Sequence, residues 1–265
     1  MRCIFCKSSS NTFRSVEHIL PESLGNTKTI LPPGIVCDTC NNYYARKVEG
    51  QLLNSDYFKH ARFSNSIPNK KGRIPPLEPL IGSGPSVLGM YKTVPGDICI
   101  YPVDNINEKI FVNHLSKHGP GTLYIPIPKK CDSYIMSRFL AKVGLELLAS
   151  RVISLPGWED EVIFKSELDG IRNYARYGYP PSEWQFYERR IYDEDHVFEI
   201  DCEKYEILNE MDLLFLNERY LFSVICIFGV EYVIDMVNPD ISGYADWLKQ
   251  HNYISPLYDE RHKRR

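Results

Sequence analysis

Four cysteines in two tight pairs, Cys3/Cys6 and Cys37/Cys40, are the residues whose spacing most directly implies chemistry. A Cys-x-x-Cys turn can aim both sulfurs at one cation while nearby backbone amides hydrogen-bond the thiolates. Two such turns supply the four soft ligands of a closed tetrahedral site, so structural zinc is expected. The other use of the motif is a redox pair, but Cys3-Ile4-Phe5-Cys6 follows no strand and opens no visible helix. Cys99, Cys131, Cys202 and Cys226 are scattered singly and read as small buried hydrophobes.

Between the pairs lies Ser15-Val16-Glu17-His18-Ile19-Leu20-Pro21, then Gly25-Asn26; Asn41 and Asn42 follow the second pair at once. The pattern predicts a strand over 14–20 that presents Glu17 and His18 side by side and is ended by Pro21. A second short strand is expected at Ile35-Val36, and a helix running to about Leu53 would bring Asn41 back over the first strand. A hard cation such as Mg²⁺ wants oxygen ligands, and Glu17 and Asn41 offer a carboxylate and an amide oxygen. So few protein ligands suit an ion whose shell is completed by a phosphate and waters. His18, beside the ligand, can take a proton from attacking water, imidazole being the side chain that ordinarily titrates nearest neutrality. Each piece also has a plainer use. A Glu-His pair is common on surfaces, Asn41 and Asn42 can cap a helix, and Gly25-Asn26 is a frequent turn dipeptide.

Taken in order, Cys-x2-Cys, Glu-His-Ile and Cys-x2-Cys-Asn resemble the HNH (ββα-metal) endonucleases in their zinc-knuckle form. The resemblance covers about residues 1–55. It implies a metal-dependent phosphodiester hydrolase with Cys3, Cys6, Cys37 and Cys40 holding structural zinc. It further implies Glu17 and Asn41, with the adjacent Asn42 as the alternative, as ligands of a catalytic Mg²⁺ or Mn²⁺, His18 as general base, and Asn26 as the residue that orients the histidine loop. Two positions depart from the usual pattern: Glu17 stands where the family usually has Asp, and Asn41 where it often has His. Arg46 and Lys47 could line the path of a nucleic-acid backbone, as could Lys59 and Arg62, or simply solvate a helix face.

Charge distribution agrees with a polyanion partner for this segment alone. The chain carries a net −3, but residues 1–75 hold 11 Lys+Arg against 5 Asp+Glu, and residues 76–265 hold 20 against 29. The segment 64–85, with Pro68, Pro75, Pro76, Pro79 and Pro85, reads as a linker, because proline removes backbone donors and fixes φ. The predicted organisation is therefore a nuclease domain over 1–63, a linker over 64–85, and a larger domain over 86–265 that controls or targets cleavage.

That larger part reads as α+β with a mainly antiparallel sheet. Strands are expected at 97–103, 109–113, 122–127, 161–165, 196–200, 205–208, 220–228 and 230–237. One helix is expected over 133–150, with Asp132 or Ser133 as its cap and with Arg138, Lys142 and Glu146 forming a charged flank. Arg172–Arg190 interleaves aromatic rings with arginines, which suits stacking on unpaired bases or ordinary core packing. His114 and His118 have helical metal-ligand spacing but no carboxylate partner, and the basic tail 259–265 reads as a solubilising end. No secretory signal or membrane span is visible, so a cytoplasmic location is expected. The expected partners are DNA, double-stranded in the first instance, and an activating ligand or partner protein, with a homo-oligomer as a further option. Nucleases with an added domain resemble restriction or anti-phage defence effectors. The competing class is a zinc knuckle that binds nucleic acid or protein and cuts nothing.

Overall fold

The computed structural model describes residues 2–9, 14–81, 87–93, 96–119, 121–194, 198–200, 203–205, 209–216 and 219–257. In chain order the first elements are β1 (Glu17–His18), β2 (Ile30–Leu31), α1 (Asp38–Tyr44), a π turn (Ala45–Glu49), α2 (Gly50–Leu53) and α3 (Asp56–Ser64). There follow β3 (Leu80–Ile81), β4 (Leu88–Lys92), β5 (Ile98–Pro102), α4 (Asn105–His118) and β6 (Leu123–Tyr124). The last stretch holds α5 (Ser133–Val152), α6 (Trp158–Val162), α7 (Asp169–Tyr177), β7 (Phe186–Arg190), β8 (Phe198–Ile200), β9 (Glu203–Tyr205), β10 (Asn209–Leu216), β11 (Tyr220–Ile227), β12 (Val230–Asp235) and α8 (Ser242–Gln250). The fold class is α+β.

Two compact units divide the chain at positions other than those predicted. One comprises Met1–Leu52 together with Asp132–Arg265, the other Leu53–Cys131. The proline-rich segment is no linker where it is described. Leu77, between Pro76 and Pro79, exchanges both backbone hydrogen bonds with Met90, at 3.0 and 2.7 Å. Phe63, Ile74, Leu77 and Met90 bury one another in a small core. Proline bars a continuous ladder but leaves the amide of a residue between two prolines free to pair.

The first unit is built around α5. Asp132 caps it by accepting from the Ile135 amide at 3.0 Å, and nearly every residue from Met136 to Ala149 is buried. It lies against the antiparallel sheet β10-β11-β12-β7 and against α6 and α7. Gly144 permits the close approach to the sheet, since a Cβ there would overlap Met236 Sδ and come within 3.1 Å of Ser223 Cβ. A helix apolar on nearly all sides belongs in the middle of a layered fold. The expected charged flank is therefore not a solvent face: Arg138, Lys142 and Glu146 are all buried.

Three predicted strands are corrected. Residues 35–36 form no strand; β1 pairs instead with β2, Glu17 opposite Leu31 and His18 opposite Ile30. Residues 109–113 are helical, inside α4, because Asp104 caps that helix through the Ile106 and Asn107 amides at 2.9 and 2.8 Å. The start of 161–165 is helical too, the end of α6, whose first turn carries Glu159, Asp160 and Glu161 against the helix dipole. Gly82, Gly84, Pro85, Cys202, residues 206–208 and the tail 259–265 lie outside the described residues.

Candidate functional site

The two cysteine pairs converge as their spacing implies. Cys3 and Cys6 sit in a turn closed by hydrogen bonds from the Cys3 amide to Ser8 O (3.1 Å) and from the Lys7 amide to Cys3 O (2.9 Å). Cys37 is the residue before α1 and Cys40 lies in its first turn. All four Sγ atoms fall within 4.8 Å of one another, and Cys6 and Cys37 Sγ are 3.7 Å apart. Zinc bonds of about 2.3 Å in a tetrahedron give sulfur–sulfur edges of about 3.8 Å, so the group fits the ion. Without a metal the sulfurs cannot ionise together. Cys3 is drawn down to about 5 by the thiol of Cys40, with burial opposing and the Cys37, Cys6 and Phe5 amides assisting. Cys40 is pushed up by that same bond and by burial. A bound cation would remove this conflict by charging all four.

The knuckle is held from outside its own sequence. Arg176 on α7 donates to Cys40 Sγ at 2.7 Å, and Lys7 pairs with Asp169 at 2.6 Å. Arg172, also on α7 and buried, donates to Ile4 O at 2.7 Å and pairs with Asp169. Arg138 reaches the hydroxyl of Tyr43 at 2.9 Å and Arg176 O at 2.7 Å. The aromatic–arginine stretch is thus largely structural. Tyr174 and Trp184 are buried and Arg172 and Arg176 brace the knuckle, while Tyr177 and Tyr179 are exposed.

β1 carries the acid-histidine pair, but on opposite faces. Successive strand residues alternate. Glu17 points inward and is only 6% exposed, whereas His18 is half-buried. Asp38 sets the entry to this strand, accepting from the Arg14 and Ser15 amides at 3.2 and 3.0 Å and from the Ser15 hydroxyl. Those bonds, the Ser15 hydroxyl's first, hold its carboxyl below the usual range. His18 Nδ1 is buried and has no hydrogen-bond partner among the described residues. Asn41 lies over the strand, its Nδ2 3.5 Å from Val16 O. Asn42 is exposed, and its carbonyl takes Arg46 Nε at 3.4 Å. Neither asparagine is the N-cap of α1; that place is held by Cys37.

Asn26 is buried and fully engaged. Its Nδ2 donates to Leu20 O (2.8 Å) and Thr29 O (3.0 Å), and its Oδ1 accepts from the Lys28 and Thr29 amides at 3.2 and 2.9 Å. It therefore clamps the loop between β1 and β2 and acts on His18 only through that loop. Asn26→Ala is expected to leave those four groups short of partners and to destabilise the chain by about 2–4 kcal/mol. Asn26→Asp should rescue little, because a carboxylate cannot donate to Leu20 and Thr29. Thermal melting measures both, and an unchanged melting temperature in Asn26→Ala would rule the clamp out.

One group of charges was not legible as a site. Lys142 on α5 is wholly buried (0% exposed), and its Nζ lies 2.6 Å from Glu17 Oε1, 2.7 Å from Glu49 Oε1 and 3.0 Å from Glu146 Oε2. It also donates to His18 O at 3.4 Å. Burial works against its charge, but the carboxylates of Glu146, Glu49 and Glu17 overrule it and hold the ammonium firmly protonated. Glu146 is pushed well up by burial and by its acidic neighbours, against the pull of Lys142.

The π turn delivers Glu49 to this cluster. From Asn41 to Glu49, three α steps and five wider π steps turn through roughly 710°, about two full turns. Eight α steps would leave the two side chains about 80° apart. Gly50 makes the widening possible: its amide bonds Ala45 O, and a Cβ there would sit 2.9 Å from that oxygen. Arg46 and Lys47 are exposed on the same turn. The His114 and His118 rings meet on α4 at a tilt of 35°, with centroids 4.9 Å apart. Among the described residues the four cysteines are the group of metal-binding type.

Residues 3–56 match the model of a family described as HNH endonuclease. A nuclease-type domain therefore occupies the start of the chain, with a cysteine cluster suited to zinc. No curated protein and no solved structure matches the chain. The HNH segment ends well before α5, α7 and the sheet, so the residues that brace its knuckle and its strand lie outside the match. Among the described residues no helix is long and apolar enough to cross a membrane.

Proposed function

We propose that the chain is a zinc-stapled endonuclease that hydrolyses phosphodiester bonds of DNA, double-stranded in the first instance, with Mg²⁺ or Mn²⁺. The observation that carries this reading is the unpartnered, buried Nδ1 of His18 on the strand touched by Asn41. The donor chemistry suits a hard cation, with a carboxylate at Glu17 and an amide oxygen at Asn41. When bound, such an ion stabilises charge on the phosphate and the leaving oxygen. The chain's own residues do the rest. His18 takes the proton of the attacking water, Asn26 holds its loop, and the exposed Arg46 and Lys47 steer the phosphate backbone.

Control of cleavage is assigned to the rest of the chain, through an activating ligand or partner protein. What supports it is the packing of α5 and α7 on the HNH segment. A role as a restriction or anti-phage effector rests on resemblance alone, and the cytoplasmic location on the sequence pattern alone. The test is conversion of supercoiled plasmid to nicked or linear form by the zinc-loaded chain with Mg²⁺ or Mn²⁺.

One observation favours the competing reading. Glu17 is buried and already satisfied by Lys142, with no metal needed to account for it. A zinc-loaded chain that binds DNA yet cuts it with neither ion would establish the binding module instead.

A further inference from the structure

Beyond the HNH segment itself, the group of residues that calls most strongly for explanation is the cluster around Lys142. Buried lysines are rare, and one surrounded by three carboxylates is costly to desolvate. Apolar side chains in place of the whole group would fill this space at less expense, whereas removing the lysine alone leaves buried carboxylates unpaired. The carboxylates come from three places: Glu17 from β1, Glu49 from the π turn and Glu146 from α5 itself. Lys142 also reaches the backbone of the histidine through His18 O. A single cation thus touches both members of the acid-histidine pair, the helix segment that carries Asn41, and the centre of the fold.

We infer that Lys142 is a positioning residue of the hydrolytic site, an internal cation that fixes the Glu17 carboxylate and the His18 backbone in one orientation. This rests on the endonuclease reading above. An ammonium has three protons, and here four acceptors crowd them, so Glu17 cannot swing out without losing its contact. The strand is only two residues long and cannot set this geometry through its own ladder. Asp38 on α1 sets the entry to the strand and Asn26 clamps the loop after it; Lys142 adds a third hold, from α5. An ångström of misplacement in such a site is enough to cost about 10²-fold in rate.

The experiment uses the full, zinc-loaded chain with Lys142→Met and Lys142→Arg. Three readouts are needed: kcat and KM on a DNA substrate, zinc content, and hydrogen exchange of the segment 14–31. The expected result for Lys142→Met is a fall in kcat of about 100-fold with KM unchanged. Exchange across 14–31 should rise at least about tenfold while the knuckle, residues 3–9 and 35–44, stays protected. Lys142→Arg keeps the charge but spreads its donors over a wider fork, so it should recover part of the rate and most of the protection. If Lys142→Met fails to fold, Lys142→Gln, which keeps a hydrogen-bond donor but not the charge, decides: wild-type kcat and wild-type exchange in that variant overturn the inference. So does a folded Lys142→Met chain with both readouts unchanged. If the wild-type chain cuts nothing, the endonuclease reading falls, and the exchange comparison alone still decides whether Lys142 orders the strand.

Discussion

Replacing His18 with alanine is expected to lower the cleavage rate by roughly 10²–10⁴-fold, the usual contribution of a general base. KM, zinc content and melting temperature should stay close to those of the unaltered chain. The half-buried ring contributes little to the core, and its Nδ1 has no hydrogen-bond partner to lose among the described residues. Neither does the side chain share in the charge cluster; Lys142 meets this residue only at its backbone carbonyl, which alanine keeps. A steady-state comparison on plasmid, at saturating DNA with matched metal, separates the effects. Equal rates in the two proteins would remove His18 from the chemistry.

Replacing Cys40 with serine is expected to have a larger effect, and of another kind. Zinc content should fall from one ion per chain toward zero, and the melting temperature by roughly 10 °C or more. Structural zinc is worth about 10–16 kcal/mol in isolated finger peptides. Even a part of that is several degrees per kcal/mol's worth of change in a chain of this size. Cys40 is buried, in the first turn of α1, and is the sulfur to which Arg176 donates. Losing the ion therefore frees the start of the helix that carries Asn41 and slackens the hold of α7. Metal analysis and a melting curve check this, and a Cys40→Ser chain with full zinc and an unchanged curve would contradict it. The pair of variants divides the site: one loses chemistry and keeps metal and stability, the other loses metal and stability.

The cysteine pairs were legible because a metal site needs ligands at fixed short intervals, and those intervals survive in the sequence. The place of Asn41 over the strand was legible for the same reason, being tied to the second pair. β2 was not. Ile35-Val36 looks more strand-like than Ile30-Leu31, but the Asn26 clamp fixes which backbone faces β1, and the composition of either dipeptide says nothing of that clamp. The Lys142 cluster was hidden for a different reason. Spacing Arg138, Lys142 and Glu146 four apart describes one face of a helix whether water or another element lies against it. Only the burial of α5 on both sides distinguishes the cases. The division into compact units differs from the predicted boundary because proline content reports the lack of regular elements, whereas compactness depends on which apolar side chains meet. The contacts of Arg172 and Arg176 with the knuckle join positions more than a hundred residues apart, beyond the reach of any local pattern.

The discontinuity of the first unit has a consequence for the order of events during synthesis. Its two pieces, up to Leu52 and from Asp132 onward, are separated by the whole of the second unit. At a synthesis rate of ~5–20 residues per second, Lys142 emerges roughly 5–20 s after the last residue of the first piece. Throughout that interval the nascent HNH segment lacks α5 and α7 and has no partner for Glu17 or Cys40 from either. A truncated message would yield a zinc-binding stub with its acidic side chain unanchored and its histidine unplaced. The order of synthesis thus places the anchors of Glu17 and Cys40 on α5 and α7 among the later parts of the chain to appear.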